Sequence, residues 1–195
     1  MRSNRLAALV TVAAAITAAG AGCKGERAPA APTTADWERG YTTVAQLRKG
    51  LQQALTRAMV HGAPTAVTAC ATEAPAIAAG LAQHGVIVGR ATRRPRNPAN
   101  LAAGWQADAL AQFEADAAAG RRLETQRFLR PLPGDRLGYA EPLVIQPLCL
   151  ACHGVDVAPE VAAALAERYP DDRATGYQLG ELRGVIWAEL PARPQ

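Results

Sequence analysis

"LETQRFLRPLPGDRLGYAEPLVI" occupies residues 123–145, and its reading decides the fold. Two short arms, "LETQRFLRPL" and "RLGYAEPLVI", flank Pro133-Gly134-Asp135, where proline fixes one φ and glycine allows a positive one. Such an arrangement predicts a β-hairpin. Upstream the hydrophobic period is helical. Val44, Leu47, Leu51, Leu55 and Met59 give "TVAQLRKGLQQALTRAMVHG" (43–62) one apolar stripe, closed by Gly62. Val67, Cys70, Ala74, Ile77 and Leu81 do the same for "APTAVTACATEAPAIAAGLAQHG" (63–85), where Pro75 is expected to disturb the helix. A short strand is expected at "VIVG" (86–89), then a long ordered loop, "RATRRPRNPAN" (90–100), and a third helix over 101–120. Beyond the hairpin, "APEVAAALAERYP" (158–170) reads as a short helix and "ELRGVIWAEL" (181–190) as a closing strand. Helices first and antiparallel strands later predict an α+β fold with a long N-terminal helix.

The chain of 195 residues suits one domain with a tail. "MRSNR" is a basic opening, "LAALVTVAAAITAA" an apolar stretch and "GAGC" a small-residue end, the layout of an export signal over residues 1–22. The apolar run is alanine-rich and short for a membrane span. Gly22-Cys23 is the junction of a bacterial lipoprotein, so Cys23 is the expected lipidation site, although Gly20 stands where a large aliphatic residue is usual and a cut after Ala21 stays open. "ERAPAAPTTAD" (26–36) has the composition of a tether, which places a flexible segment at 23–39 and the domain at 40–195. These features predict a periplasmic or extracytoplasmic protein held at a membrane by lipid. The formal charge of +4 falls to +2 once Arg2 and Arg5 leave with the signal, too little and too scattered for nucleic acid.

The hairpin leads into "QPLCLACHG" (146–154). Cys-x-x-Cys-His is the attachment pattern of c-type haem: two thiols reach one porphyrin edge, and the adjacent imidazole binds iron. Cys149 and Cys152 are therefore the expected thioether residues of one covalently attached haem c, with His153 as proximal ligand. Two alternatives use the same residues. A zinc site needs four ligands, and Cys70, His61 and His84 offer no second paired cluster. A redox disulfide sits at a helix start in a βαβ context, whereas this motif follows a hairpin. For the opposite face of the iron, residues 154–195 contain no Met, His or Cys, which leaves Met59, His61, Cys70 and His84. Met59 continues an apolar stripe, and each histidine precedes a glycine at a helix end. Cys70 is a lone exported cysteine on an apolar face, for which a small buried hydrophobe is the plain account. Arg90, Arg93, Arg94 and Arg96 are candidates to pair with haem propionates. No Ser/His/Asp set, paired carboxylates or phosphate loop points to an enzyme.

"CATEAPAIAAG", "GVIVGRATRRPRNPAN…W", "EPLVIQPLCLACHG" and "YPDDRATGYQLGELRGVI" together resemble a bacterial c-haem domain family of PAS-like fold, whose members are stand-alone exported proteins or sensor segments of signalling proteins. The likeness covers about residues 40–190. It implies a PAS-like antiparallel sheet flanked by helices. It also implies a six-coordinate haem with His153 on one face and, on the other, a cysteine that maps onto Cys70. Ala91 replaces a hydroxyl residue of the family pattern and Gln106 an acid, changes that touch local hydrogen bonds rather than ligands. A thiolate opposite imidazole lowers the reduction potential. Two functions follow as expectations: a redox or gas sensing and binding module, whose reduced form takes a small ligand, or a periplasmic electron carrier. Each needs a partner protein, redox or signalling.

Overall fold

The computed structural model describes residues 31–192. The expected signal segment, Cys23 and the tether as far as residue 30 lie outside them. The first helix, α1 (Thr34–Met59), begins inside the stretch expected as tether. The reason is local. Asp36 accepts the Thr33 N–H and hydroxyl, both at 2.8 Å, and starts the helix. Trp37 then meets the Tyr139 ring edge-on with centroids 6.1 Å apart. Gly40 continues the contact, because a Cβ there would stand 2.3 Å from that ring. Residues 34–39 are thus helix docked on the domain.

α2 (Ala63–Leu81) runs unbroken through Pro75, contrary to expectation. Pro75 is exposed, so water can serve the carbonyl left without a donor. The helix stops before residue 85, and His84 and Gly85 turn with φ of 50° and 78°. β1 (Ile87–Ala91) takes Arg90 and Ala91 out of the expected loop. α3 (Gly104–Ala118) follows. The hairpin forms as β2 (Phe128–Leu132) and β3 (Arg136–Val144), with Leu132 opposite Arg136 and residues 123–125 left as a 3-10 turn. α4 (Leu150–His153), α5 (Pro159–Arg168) and β4 (Leu182–Leu190) complete the chain.

The four strands pair antiparallel in the order β1-β4-β3-β2. One sheet face, with Val88, Tyr139, Ile186 and Leu190, packs on Val44 and Leu47 of α1. The other, with Ala140 and Val185, packs on Trp105, Ala109 and Phe113 of α3. α5 lies on α2 through Val67, Val161 and Leu165. The architecture is α+β, an antiparallel sheet flanked by helices as expected. Fully buried Glu141 on β3 ties the layers together. It meets Arg48 of α1 at 2.6 Å and Arg127 before β2 at 3.0 Å, and accepts the Tyr139 hydroxyl at 2.7 Å. Burial, then that hydrogen bond, pushes the Tyr139 phenol up.

Candidate functional site

Past β3 the chain is pinned at buried Ile145, whose N–H donates to Glu181 at 2.9 Å and whose carbonyl accepts from Gly180 at 3.0 Å. Pro147–Cys149 form a 3-10 turn that passes directly into α4. On a helical turn, residues three apart share a side, so Cys149 and Cys152 stand one above the other with His153 next to them. Gly154 closes the turn against the Leu150 carbonyl, where a Cβ would lie 2.6 Å from that oxygen. The glycine after the histidine is therefore a packing requirement.

A second segment laces onto the motif. The Tyr177 N–H donates to the His153 carbonyl at 2.9 Å, and the Gly176 N–H to that of Gly154 at 2.8 Å. The Ala174 carbonyl lies 2.6 Å from His153 Nδ1. A carbonyl only accepts, so Nδ1 carries the proton and Nε2 keeps its lone pair. Burial, reinforced by the charges of Arg96 and Arg183, lowers the His153 pKa to about 3. The imidazole is thus held neutral, in one tautomer and one orientation.

Cys70 reaches this region from α2. An anionic sulfur there would raise the pKa of Cys152 and of Tyr169. Burial pushes the Cys70 thiol up, while Arg90 and then Arg96 oppose that shift. Cys152 is likewise raised, first by burial, and packs against the α2–α5 cluster. The other distal candidates are placed elsewhere. Met59 packs with Ala58, Ala66 and Ala69, and His61 and His84 are exposed. Cys70, Cys149 and Cys152 are free thiols. Among the described residues no cluster of three or more His, Cys, Asp or Glu is arranged to hold a metal ion.

The four arginines separate. Arg93 forks onto Glu114 of α3, at 2.6 and 2.7 Å. Arg94 donates to the carbonyls of Arg173 and Thr175, and its guanidinium lies 4.3 Å from the Tyr177 ring centroid. Arg96 binds Asp172 at 3.0 Å and donates to the Cys152 carbonyl. Arg90, on β1, makes no side-chain hydrogen bond or ion pair among the described residues. Sequence reading missed three contributors. Asp172 anchors Arg96 and accepts the Ala174 N–H at 2.8 Å, which sets the carbonyl that orients His153. Tyr177 stands with its ring 6.5 Å from that of His153. Arg183 lies over the Tyr177 ring at 5.2 Å. The signal for the last was an arginine near the start of a largely apolar strand.

Chemically, the site offers two adjacent thiols on one helical turn, a fixed imidazole with a free lone pair, and a third sulfur from a neighbouring helix. Such a set suits a macrocycle carried at its edge. Among the described residues no helix is long and apolar enough to cross a membrane. No curated protein matches the chain. A solved structure, described as "Crystal structure of the cyanobacterial heme-protein Tll0287", superposes with a TM-score of 0.63 at 22% identity, covering 84% of this chain and 99% of that one. At that identity the likeness shows a common fold. The model of the Tll0287-like family matches residues 27–191, nearly all of the domain, and the chain accordingly belongs to the Tll0287-like family.

Proposed function

We propose that this protein is an exported, lipid-anchored monohaem c-type cytochrome-like module that responds to redox state or to a small ligand. In this reading Cys149 and Cys152 would form the thioethers, and His153 and Cys70 would supply the donors to the iron. The observation that carries it is the His153–Ala174 contact of 2.6 Å, which leaves Nε2 free beside the thiol pair. The solved structure of similar fold is described as a heme-protein, which favours the same cofactor here. The donor set fits independently of that likeness. Arg183 Nε is buried without a partner, and neither Arg183 nor Arg90 has a carboxylate partner among the described residues. That excess of positive charge suits an anionic group.

A bound haem would supply one-electron chemistry, and anionic sulfur donation from Cys70 would favour its ferric state. The chain's part is positional. Ala174 and Asp172 hold the His153 ring, Arg96 ties the motif to the loop behind it, and Arg90 favours the anionic form of Cys70. α2 carries Cys70 and packs on both α1 and α5, so release of the thiol would be passed to two helices. That is the movement a signalling partner would read. A second reading, a periplasmic electron carrier, is favoured by Leu148 and Val155, which expose 47% and 67% of their surface beside the motif and offer an apolar rim to a redox partner.

The test uses full-length protein matured in a host competent for cytochrome c. We expect a low-spin ferric visible and EPR spectrum with thiolate character that Cys70→Ser abolishes. Thiolate features that survive that substitution would discard the distal assignment. A potentiometric titration with CO present then separates the readings: CO uptake on reduction supports the responsive module, and reversible cycling without it supports the carrier.

A further inference from the structure

The haem reading leaves open which side chains receive the two propionates. The loop arginines drew attention in sequence because they are dense. Three of them are committed: Arg93 to Glu114, Arg94 to backbone carbonyls and the Tyr177 face, and Arg96 to Asp172 and the Cys152 carbonyl. The strands supply a different pair. Arg90 stands opposite Ile186 in the β1–β4 ladder, and cross-strand partners share a face. Ile186 belongs to the face packed by α1 and α2, so Arg90 is on the side from which Cys70 comes.

Arg183 reaches the site by an irregularity. Leu143 pairs with Gly184 and Val144 with Leu182, so Arg183 is the extra residue of a β-bulge. Gly184 permits it, with φ of 155° and a notional Cβ only 2.4 Å from the Ala91 carbonyl. The bulge turns Arg183 onto the Tyr177 ring, the ring that borders His153. One guanidinium nitrogen donates to the Thr92 hydroxyl at 2.8 Å, while Nε is buried and has no partner among the described residues. A guanidinium with a buried, idle donor and no carboxylate is costly unless an anion completes it. We propose that Arg90 and Arg183, and not the arginines at 93, 94 and 96, are the carboxylate clamp that receives the haem propionates. The assignment rests on the haem reading above, and no bond is made or broken in it.

The experiment compares full-length wild-type protein, matured as above, with Arg90→Gln, Arg183→Gln and Arg93→Gln. Haemochrome spectra after acid–acetone extraction first establish covalent haem. A colourless wild type overturns the haem reading and this assignment with it. With covalent haem present, resonance Raman propionate-bending bands should shift in Arg90→Gln and Arg183→Gln and stay in place in Arg93→Gln. At a fixed solution potential the ferrous-to-ferric ratio should fall by on the order of tenfold in each clamp variant, because loss of a nearby cation favours the more positive ferric form. Arg183→Lys keeps the charge but not the planar fork, so it should restore the ratio and leave the Raman shift. It also serves if Arg183→Gln does not fold. Wild-type Raman bands in both clamp variants, or an equal shift in Arg93→Gln, would overturn the clamp while the haem reading stood.

Discussion

Arg96 is the strut behind the Cys149-x-x-Cys152-His153 motif, and its removal should be measurable. Its Nε lies 3.0 Å from Asp172, and both side chains are only 11% exposed. A second donor closes on the Cys152 carbonyl, and the guanidinium stands 5.9 Å from the centroid of Tyr169. Breaking a fully buried pair by removing one member costs about 3–5 kcal/mol. Residual exposure and the Ala174 N–H that Asp172 keeps at 2.8 Å reduce the stranded charge. We therefore expect Arg96→Gln to cost about 2–3 kcal/mol, lowering Tm by about 5–10 °C for a domain of this size. The assay is urea unfolding of the purified full chain by far-ultraviolet circular dichroism, repeated for Asp172→Asn and for the double variant. The double variant should be less destabilised than the sum of the singles by about 1–2 kcal/mol. If both single variants fall within about 0.5 kcal/mol of wild type and add independently, the pair is a solvated contact and the strut argument fails.

Glu141→Ala should cost about 3 kcal/mol or more, since it strands Arg48, Arg127 and the Tyr139 hydroxyl around a buried void, whereas Glu141→Gln should cost less than half of that; equal midpoints in urea would refute the network's role. Gly154→Ala forces a Cβ to 2.6 Å from the Leu150 carbonyl and should reduce the yield of haem-loaded protein, read as the ratio of haem to polypeptide absorbance. Gly184→Ala should destabilise by about 2 kcal/mol or more, because it combines positive φ with a Cβ 2.4 Å from the Ala91 carbonyl; a wild-type midpoint would show that the bulge tolerates a side chain. Met59→Leu, a core exchange remote from the iron in this reading, should leave the visible spectrum unchanged and shift the unfolding midpoint by less than about 1.5 kcal/mol.

What the amino-acid order determined on its own was local. The 133–135 turn, the apolar stripes of α1 and α2, and the Cys149-x-x-Cys152-His153-Gly154 run each act within a few residues, through dihedral preference and side-chain period. Their outcome is therefore visible without a partner. Boundaries failed where distant contacts intervened: residues 34–39, expected as the end of a tether, became helix because Trp37 and Gly40 meet Tyr139, a residue of β3. The arginines show the same divide. Sequence density marked the 93–96 loop, but a guanidinium's role is set by which acceptor lies within about 3 Å, and chain folding gave Arg93 and Arg96 their carboxylates and Arg94 its carbonyls. Only the tertiary structure placed Arg183 beside Tyr177, through a bulge that shifts the strand register by one residue. Long-range pairing decides register and ion pairing, and neither is encoded in any short stretch of the chain.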